Sequence, residues 1–221
     1  MNYPLKLTAA IASLALGACA PAPNNNTDAG NTDAVVSTDT PPADTGPAPD
    51  AQTCVSTVPP TNSAYCAMNG CAFAPLSVPL CDGSGNYDFY GADYCGVTAT
   101  VLVVSAGWCV PCMQEAPMIE QLITQGYADR GVRVVTVYAQ NPDGSTPDDT
   151  NCNHWKSSFH LTSHMTRDPM GSTQRYVPGN AFPSNVVIDQ NGNIYDVLYG
   201  AERGLTTITS DLDAILAAQG H

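Results

Sequence analysis

The feature that most restricts the fold is a buried strand that runs directly into two closely spaced cysteines. Residues 98–105 read TATVLVVS, an unbroken apolar and β-branched run that predicts a strand buried on both faces. Residues 107–112 follow with the sequence GWCVPC, and residues 112–125 then place apolar side chains on one side of a predicted helix. The cysteine pair is therefore expected at a strand-to-helix junction.

The spacing of Cys109 and Cys112 suits thiol–disulfide exchange. Cysteines separated by two residues at a helix start can close a small disulfide ring, and Cys109 is expected where unpaired N–H groups and the helix dipole stabilise a thiolate. A stabilised thiolate is both a nucleophile and a good leaving group, which disulfide exchange requires. Cys112 lies one turn further in, shielded, and is expected to resolve the mixed disulfide. Pro111 is tolerated in a first turn because its missing N–H would have no partner there.

The remainder of the chain, from about residue 85, has an α/β pattern. Predicted strands cover residues 132–138, 186–189 and 194–198, and predicted helices cover 151–160 and 206–219. We expect Thr150 or Asn151 to cap the first of these helices, and the Asn191-Gly192 dipeptide predicts a hairpin turn. The order β-α-β-α-β-β-α predicts a central sheet with helices on both faces.

Residues 85–219 resemble the thioredoxin superfamily and, within it, the TlpA/ResA-like branch of exported thiol reductases. The family motif Trp-Cys-x-x-Cys is met by Trp108, Cys109 and Cys112, and Pro117 matches the proline that kinks the family's active-site helix. Pro183, which precedes a predicted strand, matches the cis-proline that faces the cysteine pair in that fold and presents backbone to the substrate. The resemblance implies a thioredoxin-like three-layer α/β fold with a mixed sheet and a thiol–disulfide oxidoreductase without a cofactor.

One position departs from thioredoxin and another supports the ResA-like branch. Thioredoxin keeps a buried aspartate six residues before its first cysteine, whereas this chain has Val103 there. Glu115, three residues after Cys112, matches a glutamate of the ResA-like branch that is thought to handle protons. One helical turn is a suitable reach for that task. Glu115 is therefore predicted to exchange protons with Cys112, the alternative being a solvated helix carboxylate.

The sequence does not determine the direction of electron flow. The resemblance implies that reduced Cys109 attacks disulfides of exported proteins and that a membrane electron donor then restores the dithiol. Donation of a disulfide would use the same residues, and Val110-Pro111 alone does not fix the direction. A redox-inert lipoprotein, whose cysteine-rich extension docks a partner, is the rival from a different functional class.

Other readings of the cysteines are weaker. A structural disulfide would not require Trp-Cys-x-x-Cys at a strand–helix junction, and peroxiredoxins place Thr or Ser where this chain has Ala106. Copper delivery would require a Cys-x3-Cys spacing. A zinc site requires four ligands, and Cys152 with the later histidines fits no zinc spacing. These histidines are His154, His160 and His164. No metal site is predicted.

Residues 1–18 resemble a lipoprotein signal peptide. An apolar run at 8–18 follows Lys6 and is shorter than the roughly 20 residues that span a bilayer. The sequence LGAC at 16–19 resembles a bacterial lipobox, in which the cysteine is acylated. Cys19 is therefore expected to anchor the chain to a membrane of the cell envelope, facing the periplasm or the exterior. The alternative is an ordinary signal peptide cut near Ala18 or Ala20.

Three segments are expected after the signal peptide. Residues 19–53 contain no aromatic residue and are rich in Pro, Asn, Thr and Asp, so they predict a disordered tether. Residues 54–84 are rich in cysteines and turns and predict a disulfide-stapled extension that packs on the main domain rather than forming an isolated binding module. Residues 85–221 form the thioredoxin-like domain.

The nine cysteines of the chain indicate an oxidising compartment. Cys19, Cys109 and Cys112 have other expected roles, and the other six are expected to form structural disulfides: Cys54, Cys66, Cys71, Cys81, Cys95 and Cys152. Five of these lie within residues 54–95, so full oxidation requires Cys152 to pair with one of them, and the pairing is otherwise open. The net charge of −13 argues against a nucleic-acid partner, because phosphate binding requires clustered Lys and Arg.

Overall fold

The computed structural model describes residues 65–91, 94, 96–200 and 204–220. The predicted signal peptide, the Cys19 anchor and the tether lie outside the described residues, as do Cys54 and Cys95. Among the described helices, none combines the length and the apolar character that a membrane crossing requires.

A five-stranded mixed sheet forms the centre of the described structure. The described chain contains seven strands, of which the first two form a separate small sheet. They are β1 (Ser77–Pro79), β2 (Asn86–Asp88), β3 (Ala99–Ala106), β4 (Val132–Gln140), β5 (His164–Arg167), β6 (Ser184–Asp189) and β7 (Ile194–Tyr199). The last five pair in the order β5-β4-β3-β6-β7, with β3, β4 and β5 parallel and with β6 and β7 antiparallel to their neighbours. All eight residues of β3 are buried, as the apolar run predicts for a strand covered on both faces.

Three helices cover the sheet: α1 (Val110–Ile119), α2 (Asp149–Ser158) and α3 (Gly204–Ala218). On one face, Ile119 of α1 and Leu212 of α3 pack with Val101 of β3 in one apolar cluster. On the other face, Trp155 of α2 packs with Val104 of β3 in a second cluster. The predicted three-layer arrangement is confirmed.

The described part of the cysteine-rich extension belongs to the second cluster. Phe73 is fully buried, and its ring lies 4.3 Å from that of Phe89 and 4.9 Å from that of Tyr176, between centroids. Disulfides join Cys66 to Cys71 and Cys81 to Cys152. Cys152 is thus bonded to a cysteine of the N-terminal cluster at 54–95, as full oxidation requires. The Cys81–Cys152 disulfide links the extension to α2. Residues 65–91 pack against the sheet and do not form an isolated module.

The structure differs from the sequence analysis in its smallest strands. β5 was not predicted, because only its two central residues, Met165 and Thr166, are buried and its neighbours are polar. β1 and β2 pair over three residues each, which is too short for an alternating pattern to stand out. Residues of this kind acquire strand geometry from their neighbours in space, which the local sequence does not reveal.

Helix boundaries also shift, for reasons visible in the side chains. α1 begins at Val110, two residues before the predicted start, and a π-helical turn (Glu120–Gln125) follows its end. The Glu120 carboxylate is buried and accepts a hydrogen bond from the Thr162 backbone N–H at 2.9 Å, which anchors this turn. α2 is capped by Asp148 rather than by Thr150 or Asn151, because the Asp148 carboxylate accepts the Asn151 N–H at 2.8 Å.

The β6–β7 hairpin forms as predicted, but its turn has a different geometry. An Asn-Gly turn of the expected two-residue kind has positive φ at both residues, whereas here Gly192 has φ +78° and Asn191 does not have a positive φ. The Asp189 carboxylate accepts the backbone N–H groups of Asn191 and Asn193 at 2.9 and 2.8 Å. Four residues, 190–193, therefore separate the two strands, and the left-handed glycine is the third of them.

Candidate active site

Cys109 and Cys112 lie where β3 ends and α1 begins. Cys109 is the N-cap of α1, and its sulfur accepts the backbone N–H of Cys112 at 3.1 Å. The two side chains are joined in a disulfide, with their Cα atoms 5.2 Å apart. Cys109 is 2% exposed and Cys112 1%, so the closed pair is shielded almost equally at both residues.

The first turn of α1 suits a thiolate. Pro111 lies in this turn, and no acidic residue is present there. A negative sulfur at the N-cap would therefore meet free N–H groups and the positive end of the helix dipole, and no acidic side chain lies in the same turn to oppose it. This is the arrangement that lowers the pKa of a cysteine thiol.

A close backbone approach fixes the position of the pair. The Gly107 N–H donates to the Gln140 carbonyl oxygen at 2.8 Å, which holds the end of β3 against the end of β4. A β-carbon at Gly107 would overlap the Tyr138 hydroxyl and would lie 2.8 Å from the Pro142 nitrogen. Only glycine fits here, and nothing in the local sequence identified this requirement.

Trp108 connects the cysteine pair to the end of β4 and to the loop before β6. Its indole Nε1 donates to the Gln140 side-chain oxygen at 2.7 Å, and its ring meets that of Phe182 edge-on, with centroids 5.5 Å apart. The side chain is still 43% exposed, and Val110 beside it is 60% exposed. Trp108 therefore forms part of an apolar rim around the disulfide.

Pro183 lies at the start of β6, and the Phe182–Pro183 peptide bond is cis, as the resemblance predicts. Pro183 and Pro111 line the same groove, together with Glu115. This groove runs between α1 and α3, has a volume of about 590 Å³ and is mainly apolar. Pro183 thus lies on the same groove as Glu115 of α1.

Glu115 is not a solvated helix carboxylate. It is largely buried, and one carboxylate oxygen accepts a hydrogen bond from the Asn185 side-chain amide at 2.8 Å. Burial raises the pKa of Glu115 from 4.5 to about 7, although the Asn185 hydrogen bond acts in the opposite direction. A carboxyl group with this pKa is partly protonated and partly ionised near neutral pH, so it can both accept and return a proton.

Asn185 is a site residue that the sequence analysis missed. β3 and β6 pair so that Val103 lies opposite Asn185, and Val103 occupies the position at which thioredoxin has its aspartate. The signal in the sequence was an asparagine two residues after Pro183, directly before the apolar residues 186–188; in the structure it is 2% exposed. Its contact with α1 depends on the register of β6, which the sequence does not give.

The zinc alternative is excluded for Cys152, because that sulfur is bonded to Cys81. His154, His160 and His164 are all exposed. Within the described ranges, no group of three or more His, Cys, Asp or Glu side chains is arranged to hold a metal ion.

Comparison with known proteins gives a family and a fold. The Redoxin family model matches residues 76–216. A proposed thiol:disulfide interchange protein DsbE from Chlorobium tepidum is similar in structure, with TM-score 0.55 and 20% identity over 69% of this chain and 99% of that one. A proposed protein disulfide isomerase from Bacteroides thetaiotaomicron has TM-score 0.57 and 19% identity over 70% of this chain and 94% of the other.

A sequence search found no curated protein that matches the chain. The structural likenesses are below 25% identity and establish the fold, while the family match extends over more than half of the chain. The chain belongs to the Redoxin family and has a thioredoxin-like α/β fold.

Proposed function

We propose that this chain is an exported thiol–disulfide oxidoreductase that reduces disulfides of exported proteins through Cys109 and Cys112. The observation that carries the proposal is the position of Cys109, whose sulfur caps α1 and accepts the Cys112 N–H at 3.1 Å. Membership of the Redoxin family supports this chemistry. The names of the two structural neighbours, a disulfide interchange protein and a disulfide isomerase, describe the same type of reaction.

The reaction starts from the reduced pair. The Cys109 thiolate attacks one sulfur of a substrate disulfide, so that a Cys109–substrate bond forms and the substrate S–S bond breaks. The released substrate thiolate takes up a proton. Cys112 then loses its proton and attacks the Cys109 sulfur, which releases the second substrate thiol and leaves the Cys109–Cys112 disulfide. The substrate gains two electrons, and the enzyme loses two.

Glu115 is the group that we assign to the Cys112 proton. It lies one helical turn after Cys112, and its pKa of about 7 allows the carboxylate to accept a proton from the thiol and the acid to return it in the reverse step. Val103 cannot take this role, since its side chain is apolar.

The substrate is expected to lie along the apolar rim. Trp108 and Val110 border the disulfide, and Pro183 lies across the groove from α1. An extended peptide with a cystine sulfur near Cys109 would cover these side chains and remove apolar surface from water, which favours binding.

The location of the protein also belongs to the proposal. The lipobox-like sequence at 16–19 supports acylation of Cys19 and attachment to a membrane of the cell envelope. A membrane electron donor would then restore the dithiol after each turnover.

A trapping experiment tests the proposed order of attack. In Cys112→Ser, the mixed disulfide at Cys109 cannot be resolved, so incubation with a cystine-containing peptide is expected to give a stable adduct at Cys109. Cys109→Ser is the matched control and is expected to give neither adduct nor turnover. An inert pair in the unsubstituted chain, or an adduct that forms equally well at Cys112 in Cys109→Ser, would contradict the proposal.

A further inference from the structure

The contact between Glu115 and Asn185 joins the cysteine helix to the strand that follows Pro183. The Asn185 amide nitrogen donates to one Glu115 oxygen at 2.8 Å across a separation of 70 residues. Asn185 is 2% exposed, so its side-chain amide is withdrawn from solvent and is committed to this contact. One side chain on β6 therefore controls the position of the carboxyl group that serves Cys112.

The second oxygen of Glu115 and the side-chain oxygen of Asn185 have no hydrogen-bond partner among the described residues. Both atoms are buried. A buried carboxylate with a single donor is poorly compensated for the loss of water. The Asn185 amide is thus the principal group that stabilises the charged form of Glu115.

Among the described residues, no charged side chain of the groove replaces this donor. On α1 and at its N-cap the other titratable residues are Cys109 and Cys112, which are joined in a disulfide, and the other described groove residues are uncharged. These are Pro111, Gln114, Met118, Leu122, Pro183, Gly204, Leu205, Thr206 and Thr209. Burial and the Asn185 hydrogen bond are accordingly the two causes that set the pKa of Glu115.

We propose that Asn185 is a positioning residue of the proton-transfer step, which fixes the Glu115 carboxyl group through its hydrogen bond and aims it for exchange with Cys112. This inference rests on the proposed oxidoreductase function. Asn185 does not touch the reacting sulfurs in this account and acts through Glu115 alone. Because β6 begins directly after Pro183, this strand would link the substrate-facing loop to the proton acceptor of the resolving cysteine.

The proposal predicts a shift in the Glu115 titration. Asn185→Leu removes the donor and keeps the branching and the number of side-chain heavy atoms, so the charged form loses a buried hydrogen bond and the pKa of Glu115 rises, which moves the midpoint of its titration up by about one pH unit. The chain contains only three glutamates, so ¹³C NMR of carboxyl-labelled glutamate can follow Glu115 directly. Comparison with Glu115→Gln assigns its signal.

A kinetic consequence follows from the same shift. The ionised fraction of Glu115 at pH 7 would fall from about one half to about one tenth, so the rate of mixed-disulfide resolution is expected to fall roughly fivefold at pH 7 and to recover toward pH 9. In a Glu115→Gln background, Asn185→Leu should have no further effect on the pH dependence, because the group through which it acts is absent.

Two further variants complete the test. Asn69→Leu removes an amide that donates to the Asp196 carboxylate at 2.9 Å on the exposed surface, and it should leave the Glu115 titration unchanged. Asn185→Asp keeps the shape of the side chain, replaces the donor by a second carboxyl group and should raise the pKa of Glu115 further. Asn185→Asp allows the effect on the Glu115 titration to be measured if Asn185→Leu folds poorly.

The outcomes separate this inference from the proposed function. A Glu115 titration that does not move in Asn185→Leu or Asn185→Asp, in a protein whose cysteine pair still exchanges, would overturn the role of Asn185 and leave the oxidoreductase intact. A cysteine pair that does not exchange in the unsubstituted chain would overturn the function, and the NMR titration would still report whether Asn185 sets the charge of Glu115.

Discussion

Gly107 lies against the hydroxyl of Tyr138, so close that a β-carbon at position 107 would overlap it. The contact brings the end of β3 onto the end of β4 immediately before the two cysteines. Gly107→Ala is therefore expected to lower the free energy of unfolding by about 2 kcal/mol or more, because a buried methyl group has no room there. Denaturant unfolding followed by circular dichroism measures the change.

A double variant shows whether this overlap is the cause. Tyr138→Phe removes the hydroxyl that the new methyl group would meet, so Gly107→Ala with Tyr138→Phe should recover part of the lost free energy. Strictly additive losses in the double variant would mean that the Pro142 backbone, 2.8 Å from the added carbon, dominates the cost instead.

The two disulfides of the described extension should differ in their effect on stability. Cys81 and Cys152 close a long loop, with a sequence separation of 71, whereas Cys66 and Cys71 are separated by 5. Loop entropy predicts a loss of about 4 kcal/mol for the Cys81→Ser, Cys152→Ser variant and of about 2 kcal/mol for Cys66→Ser, Cys71→Ser. Chemical denaturation of both variants under non-reducing conditions measures the difference.

The same variants test whether the extension takes part in redox chemistry. We expect the Cys109–Cys112 pair to exchange with thiol buffers at an unchanged potential in both. An altered potential in Cys81→Ser, Cys152→Ser alone would show that the bond between the extension and α2 is coupled to the active pair.

Glu115 makes stability depend on pH in a known direction. Its pKa is raised in the folded state from 4.5 to about 7, so the folded protein binds more protons than the unfolded chain between these values. The contribution of Glu115 is fully present below pH 4.5 and is lost as the pH rises through 7. The loss is expected to be about 3 kcal/mol.

Glu115→Gln isolates this contribution from the other titrating groups. The free energy of unfolding of the unsubstituted chain should fall relative to that of Glu115→Gln as the pH is raised from 4 to 8. Urea unfolding of both proteins at several pH values gives the difference directly. A constant difference across this range would mean that Glu115 titrates normally and is not held in a desolvated site.

The sequence predicts the central elements because their patterns are contiguous. The run at 98–105 identifies β3 without reference to any other part of the chain, and the cysteine spacing places the start of α1 to within two residues. β5 could not be recognised, since two buried residues between polar ones carry no pattern. Its strand geometry comes from pairing with β4.

The site was predictable to the same extent. Cys109, Cys112 and Trp108 form one local motif, and Glu115 and Pro183 follow from the family resemblance. Asn185 and Gly107 act through contacts with distant parts of the chain, the first with α1 and the second with β4. Such contacts depend on strand register and on loop approach, which are properties of the folded molecule.

The reduction potential of the Cys109–Cys112 pair decides whether this protein acts as a reductase. The protein is equilibrated in glutathione or dithiothreitol buffers, free thiols are alkylated, and mass spectrometry gives the oxidised fraction of each cysteine. A reductase predicts a value of roughly −270 mV or lower, as for thioredoxin. A value near −120 mV would reverse the proposed direction. A pair that never exchanges with the buffer would contradict the enzymatic function itself.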